Sequence, residues 1–216
     1  MMQNAKIRVF LADDHVMVRE GLAALISREP DIEIVGQDGH GLTVVKAVLE
    51  CKPDVVVLDI MMPGINGLDI CRELTRKAEG MYILILTMYS DEQFIVRALE
   101  YGASGYLLKE AAGDQLATAV RAVAKGELYL GPRIPKHVLE CMGRGESDPY
   151  ERLTTRERQV LQLIAEGKTN RQVAEELKLA VKTVDTHRAH LMRKLNIHDQ
   201  TSLVKFAIRR GIVSAR

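Results

Sequence analysis

Five charged or polar side chains stand where short apolar runs of the sequence end, and together they could perform phosphoryl chemistry. They are Asp13, Asp14, Asp59, Thr87 and Lys109. Three carboxylates in one place repel one another unless a cation lies between them, and carboxylate oxygens are ligands that suit Mg²⁺. Beside such an ion, a strand-end aspartate could attack a phosphoryl group in line, while the hydroxyl and the ammonium group bind the phosphoryl oxygens. The product would be an aspartyl phosphate.

The elements that would bring these side chains together are five apolar runs separated by longer stretches with helical periodicity. The runs are Ile7–Ala12, Ile32–Gly36, Val55–Ile60, Ile83–Thr87 and Gly105–Leu108. This alternation predicts an α/β domain with a five-stranded, parallel, doubly wound (flavodoxin-like) sheet. Because parallel strands point the same way, the residues at their carboxyl ends converge on one edge of the sheet, where such folds place their sites. The alternative is that each acid only caps the helix that follows its strand.

Gly and Pro residues concentrate between residues 126 and 150, which indicates a linker between two domains. We therefore predict a first domain over residues 1–126, a linker over residues 127–149 with a short helix near Lys136–Met142, and a second domain over residues 150–216. Residues 1–149 carry 16 Lys and Arg against 22 Asp and Glu, whereas residues 150–216 carry 14 against 7. Only the basic second domain is therefore expected to meet a polyanion.

The composition is that of a folded protein and excludes a disordered chain. Of the 216 residues, 47% are hydrophobic and 27% are charged, and the net charge is +1. No run is long enough to cross a bilayer, and the N-terminus lacks the apolar length of a secretion signal. The three cysteines Cys51, Cys71 and Cys141 lie far apart and fit no metal-binding spacing. We expect a cytoplasmic location and no membrane partner.

The second domain is predicted to be small and all-helical, with periodic segments interrupted at residues 167–169, 178–180 and 197–199. A Thr followed three residues later by Glu157 or Arg158 predicts a capped start to the first helix. Two helices joined by a brief turn follow, and the second, from about Val181 to Leu195, is the longer and is basic. These are the elements of a helix-turn-helix, whose basic groups neutralise DNA phosphates. The alternative is a solvated basic face that contacts another protein.

Four motifs of the first domain form a specific set. They are Ala12-Asp13-Asp14-His15, the ten residues Leu58 to Gly67 (LDIMMPGING), Leu86-Thr87, and the eight residues Gly102 to Lys109 (GASGYLLK). Over about residues 5–125 this set resembles the receiver domains of two-component response regulators. The resemblance implies that Asp59 accepts phosphate from a sensor histidine kinase, and that Asp13 or Asp14, Asp59 and the Met61 backbone carbonyl hold Mg²⁺. Thr87 and Lys109 would contact the phosphoryl group. Tyr106 would be the switch aromatic, or only a partly buried ring on the last strand.

Four motifs of the second domain also belong together. They are Leu153-Thr154-Thr155-Arg156-Glu157, Glu166-Gly167-Lys168-Thr169-Asn170, Lys182-Thr183-Val184-Asp185-Thr186-His187 and Met192-Arg193-Lys194-Leu195. Over about residues 150–214 they resemble the LuxR-type DNA-binding domain of the NarL/FixJ class. The resemblance implies that Asp185, Thr186 and Ala189 read bases and that Thr183 also belongs to the DNA-binding set. Contacts to the DNA backbone or groove edge would come from Lys182, His187, Arg188 and Lys194. Asp185 departs from the basic residue expected at its position.

The two resemblances together imply a transcription factor that is controlled by phosphorylation, dimerises when phosphorylated and binds double-stranded DNA. Such a receiver would catalyse only its own phosphotransfer and dephosphorylation, so the chain would not otherwise be an enzyme. A phosphatase of the haloacid dehalogenase-like group would need an Asp two residues after the nucleophile, where this sequence has Met61. A second alternative is a DNA-binding protein whose receiver only dimerises, independently of phosphorylation.

Overall fold

The computed structural model of the chain describes residues 5–141 and 148–213. Over the described residues the chain forms two compact units, the first containing residues 5–63 and 67–141 and the second containing residues 64–66 and 148–213. Within the described ranges, no helix is both long and apolar enough to span a bilayer.

The first unit is built on a sheet of six parallel strands in the order β2-β1-β3-β4-β5-β6. The strands are β1 (Ile7–Ala12), β2 (Ile32–Asp38), β3 (Val55–Leu58), β4 (Tyr82–Thr87), β5 (Gly105–Leu108) and β6 (Tyr129–Leu130). The four residues of β3 are all buried, as expected for a central strand covered on both faces. The predicted parallel, doubly wound architecture is confirmed.

The prediction of five strands was wrong by one, because a sixth strand pairs with the edge of β5. The amide N–H of Tyr129 donates to the carbonyl oxygen of Ser104 at 3.0 Å, and that of Gly131 donates to Tyr106 at 2.9 Å. Two residues are too few to produce a periodic signal in the sequence, and the Gly and Pro residues around them indicate a loop. The strand satisfies backbone groups that β5 would otherwise leave open.

Five helices follow the first five strands of the sheet and cover both of its faces. They are α1 (Val16–Ile26), α2 (Gly41–Cys51), α3 (Gly67–Lys77), α4 (Glu92–Glu100) and α5 (Ala112–Ala124). Alternate strand residues, such as Val57 and Leu84, join a core with α1 and α5. The intervening residues point to the other face of the sheet, and α2 contacts α3, which contacts α4. The carboxyl ends of β1, β3, β4 and β5 therefore lie side by side along one edge.

The first part of the segment predicted as a linker folds with the first unit. After β6 the chain forms a 3₁₀ helix at Lys136–Cys141, which contacts α4. Ile134 and Val138 are buried, so this stretch adds apolar contacts. The short helix predicted near Lys136–Met142 is present up to residue 141, and Met142 lies outside the described residues. The domain boundaries at residues 126 and 149 stay predictions.

Over residues 148–213, the second unit contains a short 3₁₀ helix, Pro149–Arg152, and four α-helices: α6 (Thr155–Ala165), α7 (Asn170–Leu177), α8 (Val181–Leu195) and α9 (Gln200–Arg209). Capping boxes start two of them. The Thr154 hydroxyl accepts from the amide of Glu157, whose carboxylate accepts from the amide of Thr154. The same arrangement joins Thr169 and Gln172 at the start of α7. Each box satisfies two backbone donors that a helix start leaves without an intrahelical partner.

The turn between α7 and α8 has the form expected of a helix-turn-helix. Lys178 ends α7 in the left-handed conformation, with φ of 53°, and α8 begins three residues later. Val173, Ala174 and Leu177 of α7 are buried. The buried residues of α8 are Val184, Leu191 and Leu195. The opposite face of α8 is therefore directed towards solvent.

An aromatic ring near the beginning of the second unit lies between two guanidinium groups. The Cζ atoms of Arg158 and Arg210 each lie 4.4 Å from the ring centroid of the buried Tyr150. Arg210 also forms an ion pair with Asp148. Cation–π contacts of this kind attach the residues before α6 to α6 itself and to the end of α9.

Candidate functional site

The sheet brings the predicted phosphoryl-binding residues together. Asp13 directly follows β1, Asp59 directly follows β3, Thr87 is the last residue of β4, and Lys109 directly follows β5. The register is fixed by the amide of Asp59, which donates to the carbonyl oxygen of Ala12 at 2.9 Å. Asp13, Asp59 and Thr87 are buried, and Asp14 is half-buried. The site is thus a shallow group of polar side chains at the carboxyl edge of an apolar sheet.

Lys109 lies between the two buried carboxylates. Its Nζ is 2.6 Å from Oδ2 of Asp13 and 2.7 Å from Oδ2 of Asp59, and only a tenth of its side chain is exposed. The other oxygen of Asp59, Oδ1, accepts from the amide of Ile60 at 2.7 Å. The lysine therefore offsets the repulsion between the two acids and orients the carboxylate of Asp59.

The pKa values of this pair reflect burial and mutual attraction. Burial raises the pKa of Asp59, the charge and hydrogen bond of Lys109 oppose that rise, and Asp13 adds to it, so that the net shift is upward. Burial lowers the pKa of Lys109, but the charges and hydrogen bonds of Asp59 and Asp13 raise it by more. Lys109 thus remains a cation at neutral pH, able to bind an anionic oxygen.

The acidic residues also fit a divalent cation. Single ligand atoms of Asp13, Asp14, His15 and Asp59 all lie within 4.8 Å of one another. The carboxylate oxygens are the hard donors that Mg²⁺ takes. The buried hydroxyl of Thr87 has no hydrogen-bond partner among the residues that the structure describes. An unpaired buried polar atom costs stability, so its presence beside this cluster indicates a binding site.

Sequence reasoning assigned no role to His15, although it directly follows the acidic pair. Its Nδ1 lies 2.7 Å from Oδ1 of Asp14 and 3.6 Å from Oδ1 of Asp13, and about half of the side chain is exposed. Its position next to two acids in the sequence is the signal that could have identified it. Its imidazole forms one wall of the cluster.

The loop after β3 approaches the start of α3 very closely. The amide of Gly67 donates to the carbonyl oxygen of Ile60 at 2.7 Å, and a Cβ atom at residue 67 would lie 1.9 Å from the carbonyl oxygen of Asp59. Only glycine fits there. Met61, the predicted carbonyl ligand, is half-buried in this same loop, two residues after Asp59.

Tyr106 is fully buried in the structure. Its ring lies on β5, and its hydroxyl donates to the carbonyl oxygen of Tyr89 at 2.7 Å. Tyr89 stands two residues after Thr87, in the loop between β4 and α4. Burial raises the pKa of Tyr106, and the charges of Asp59 and Asp91 raise it further, so the hydroxyl remains a donor at all ordinary pH values. The aromatic ring thus has the inward position and is bonded to the loop that follows Thr87.

The residues predicted to contact DNA lie mainly on the solvent face of α8. Five of them are exposed: Lys182, Thr183, Asp185, Thr186 and Ala189. His187 and Arg188 are half-buried, and the hydroxyl of Thr186 donates to the carbonyl oxygen of Lys182 at 3.0 Å. A helix with one exposed basic face, preceded by a short helix and a tight turn, can enter the major groove of DNA.

Lys194, which is also predicted to contact DNA, forms an ion pair within the second unit. Its Nζ lies 2.6 Å from Oε2 of Glu157, whose side chain is only 3% exposed. Burial raises the pKa of Glu157, but hydrogen bonds with Lys194 and Thr154 lower it by more. The lysine thus contributes to the packing of α8 on α6, a role that the sequence reasoning did not foresee.

A second contact that the sequence reasoning missed involves Asn170, the first residue of α7. Its Nδ2 donates to Oδ1 of Asp185 at 2.6 Å, and its Oδ1 accepts from Arg188 at 3.2 Å. Arg188 also donates to Gln200, at the start of α9, at 3.2 Å. Asn170 lies in one of the motifs of the second domain, but its distance of 15 residues from Asp185 gave no signal of contact.

Family comparisons agree with this division of the chain into a sheet with an acidic edge and a helix-turn-helix. The family model of the response regulator receiver domain matches residues 9–121. The model of the bacterial regulatory proteins of the luxR family matches residues 151–207. The fold and the site thus define a regulatory protein with a receiver and a DNA-binding domain.

Similarity to individual proteins identifies the family within this class. The transcriptional regulatory protein LiaR of Bacillus subtilis (strain 168) is 40% identical over 210 residues, which cover 96% of this chain and all of LiaR. The chain belongs to the two-component response regulators of the NarL/FixJ family, which carry a LuxR-type DNA-binding domain.

Solved structures agree in fold. A LuxR-family two-component response regulator from Aurantimonas sp. SI85-9A1 has a TM-score of 0.60 and 33% identity, over 63% of this chain and 97% of that one. RcsB from Salmonella enterica serovar Typhimurium, solved on the promoter P1flhDC with the phosphomimetic BeF₃⁻, has a TM-score of 0.58 and 24% identity, over 93% and 97% of the two chains.

Proposed function

We propose that a sensor histidine kinase phosphorylates this response regulator on Asp59 in a Mg²⁺-dependent reaction, and that the phosphate controls dimerisation and sequence-specific binding to double-stranded DNA. The observation that carries the proposal is the position of Lys109 between the buried carboxylates of Asp13 and Asp59. We place the protein in the cytoplasm.

Each residue of the site has a separate role in phosphoryl transfer. An oxygen of Asp59 attacks the phosphorus of the donor, so that an O–P bond forms while the P–N bond to the kinase histidine breaks. Asp13, Asp14, Asp59 and the Met61 carbonyl would hold Mg²⁺, which would supply positive charge to the phosphoryl oxygens. Lys109 exchanges its bond to Asp59 for one to a phosphoryl oxygen. Catalysis by the receiver is limited to this transfer and to the later hydrolysis of the phosphate.

A conformational response follows from two groups that the phosphate can rearrange. The hydroxyl of Thr87 has no partner among the described side chains, so a phosphoryl oxygen offers it a first hydrogen bond. Its movement pulls the loop that contains Tyr89, to which the hydroxyl of Tyr106 is bonded. The added charge near −2 thus selects one arrangement of this loop and of α4.

The output is the binding of α8 to DNA. We assign phosphate contacts to Lys182 and Arg188, and base contacts to Asp185, Thr186 and Ala189, and we assign Thr183 and His187 to the groove edge. Lys194 would reach DNA only by releasing Glu157. We therefore assign it the smallest contribution to DNA binding in this set. A structure of two RcsB dimers on two DNAs supports the homodimer as the species that binds DNA.

One experiment tests the proposal. Wild type and Asp59→Asn are incubated with Mg²⁺ and acetyl phosphate, their intact masses are measured, and DNA binding is followed on the same samples. We expect a single phosphate adduct that is lost in Asp59→Asn, and tighter DNA binding only in the phosphorylated wild type. DNA binding without any adduct would instead support a receiver that only dimerises.

A further inference from the structure

Asn170 joins two residues of α8 that are both predicted to contact DNA. A carboxylate only accepts hydrogen bonds and a guanidinium only donates them, so the amide must direct Nδ2 to Asp185 and Oδ1 to Arg188. The amide nitrogen and the amide oxygen of Asn170 therefore both form hydrogen bonds within the helix-turn-helix. Because Asn170 is the first residue of α7, the contact also joins the start of α7 to α8.

The amide separates two charges that would otherwise attract each other. Asp185 and Arg188 are three residues apart on α8, a spacing at which opposite charges form ion pairs along a helix. In the described part of the chain, Arg188 instead donates to Asn170 and Gln200 and makes no ion pair with Asp185. A direct pair would neutralise both groups and draw them together over the helix surface.

The arrangement leaves one acceptor of Asp185 exposed. Oδ1 accepts from Asn170, and no donor among the described residues reaches Oδ2. In the major groove, the exocyclic amino group of cytosine is the donor that an acidic side chain recognises. An exposed carboxylate with one oxygen held and one available therefore suits a C·G pair.

We propose that Asn170 is a positioning residue for base recognition: it holds Asp185 so that Oδ2 accepts from the amino group of a cytosine, and it keeps Arg188 apart so that the guanidinium binds a DNA phosphate. This inference rests on the proposed function, in which α8 enters the major groove. Asn170 acts through Asp185 and need not touch a base.

The test selects binding sites from a pool of random DNA duplexes with the full-length protein, treated with Mg²⁺ and acetyl phosphate. Selection with wild type and with Asp185→Ala identifies the base pair whose preference depends on Asp185. The same selection is made with Asn170→Ala, Asn170→Asp, Arg188→Ala, the double variant Asn170→Ala/Asp185→Ala, and Gln200→Ala. The last is the matched control, because it removes a partner of Arg188 but leaves the bond to Asp185 intact. Thermal unfolding of every variant separates altered recognition from altered folding.

We expect Asn170→Ala to reduce the preference for cytosine at that pair by about 5- to 10-fold, a loss at the lower end of the range of a single base contact. Asn170→Asp, which has no donor, should do the same, and Gln200→Ala should keep the preference. In the Asp185→Ala background, Asn170→Ala should have no further effect at that pair, because a residue that acts through another is not additive with it.

The outcomes that would overturn the inference fall into three groups, which differ in whether the proposed function fails as well. If Asp185→Ala changes the preferred base but Asn170→Ala does not, or if their effects add, the positioning role is wrong and the proposed function stands. If the base that depends on Asp185 is not cytosine, the assigned contact is wrong. If Asp185→Ala and Arg188→Ala both bind DNA like wild type, or if wild type enriches no duplex, the proposed function fails as well.

Discussion

Nζ of Lys109 lies 2.7 Å from Oδ2 of Asp59, in a site where both side chains are almost fully buried. The same nitrogen contacts Asp13 at 2.6 Å. Two buried carboxylates thus share one protein cation, and a divalent cation at the same acids would relieve the remaining negative charge. Lys109 therefore has a structural role before any phosphate arrives.

Replacing Lys109 by glutamine should make the fold depend on Mg²⁺. Without the ammonium group the two carboxylates repel each other, and we expect the free energy of unfolding to fall by about 3 to 5 kcal/mol, the cost of breaking a buried ion pair. Added Mg²⁺ should restore more stability to Lys109→Gln than to wild type. Thermal unfolding with and without Mg²⁺ measures both effects. Lys125→Gln, at an exposed position, is the control, and equal Mg²⁺ responses in all three proteins would refute the expectation.

The hydroxyl of Tyr106 should stabilise the first unit. Tyr106→Phe leaves the carbonyl oxygen of Tyr89 without its donor, and we expect a loss of about 1 kcal/mol with little change in the rate of phosphorylation by acetyl phosphate. Urea unfolding and intact mass are the measurements. Tyr129→Phe, which removes a hydroxyl bonded to Gln115 at the partly exposed β6, should cost less. If the two variants lose equal free energy of unfolding, the bond to Tyr89 stabilises the first unit no more than the bond to Gln115 does.

Two glycines in the first unit should respond in opposite directions to replacement by alanine. In Gly67→Ala the new Cβ would lie 1.9 Å from the carbonyl oxygen of Asp59, so the loop that holds Asp59 must move. We expect strong destabilisation and loss of the phosphate adduct. At Gly21, on the exposed side of α1, no described atom beyond its chain neighbours and the helix's own backbone lies within 4 Å of such a Cβ, and Gly21→Ala should stabilise by up to about 1 kcal/mol. A stable, phosphorylated Gly67→Ala protein would contradict the geometry.

The stability of the second unit should depend on the charge of Glu157. Hydrogen bonds with Lys194 and Thr154 hold its pKa below the ordinary value of 4.5, so the native state releases this proton more readily than the unfolded chain. The resulting stability is present above pH 4.5 and is lost as the pH falls through the native pKa.

Glu157→Gln isolates this effect, because glutamine at the third helical position can still complete a capping box. We expect it to lower the free energy of unfolding by about 1 to 2 kcal/mol at neutral pH and to flatten the decline below pH 4.5. Unfolding of the full chain, followed by denaturant and by pH, provides the comparison. Glu157→Ala should lose more, since it also removes the cap. If stability declines below pH 4.5 in Glu157→Gln as it does in wild type, another carboxyl group controls that decline.

Much of the fold could be predicted because the sequence pattern and the packing carry the same information. β1 and β5 begin and end at the predicted residues, Ile7–Ala12 and Gly105–Leu108. The run predicted as Val55–Ile60 ends as a strand at Leu58, because the chain turns where the side chain of Asp59 enters the site. Its apolar continuation at Ile60 is buried loop, which periodicity cannot distinguish from strand.

The residues of the two candidate sites also divide into those whose proximity the sequence predicts and those whose contacts it does not. The placement of Asp13, Asp59, Thr87 and Lys109 follows from parallel strands alone, so the sequence was sufficient to predict their proximity. The contacts of Asn170 with Asp185 and of Glu157 with Lys194 join residues far apart in the chain. They depend on the angles between packed helices, which a single sequence does not encode in any local pattern.

The pairing of β6 with β5 has a practical consequence for work with the separated receiver. A fragment cut at residue 126 would lose Tyr129 and Gly131, and with them the donors to the carbonyl oxygens of Ser104 and Tyr106. The bare edge of β5 would then offer a row of unpaired backbone groups to a second molecule, the usual start of strand-to-strand aggregation. A fragment extended through residue 141 keeps that edge closed and should stay monodisperse where the shorter one precipitates.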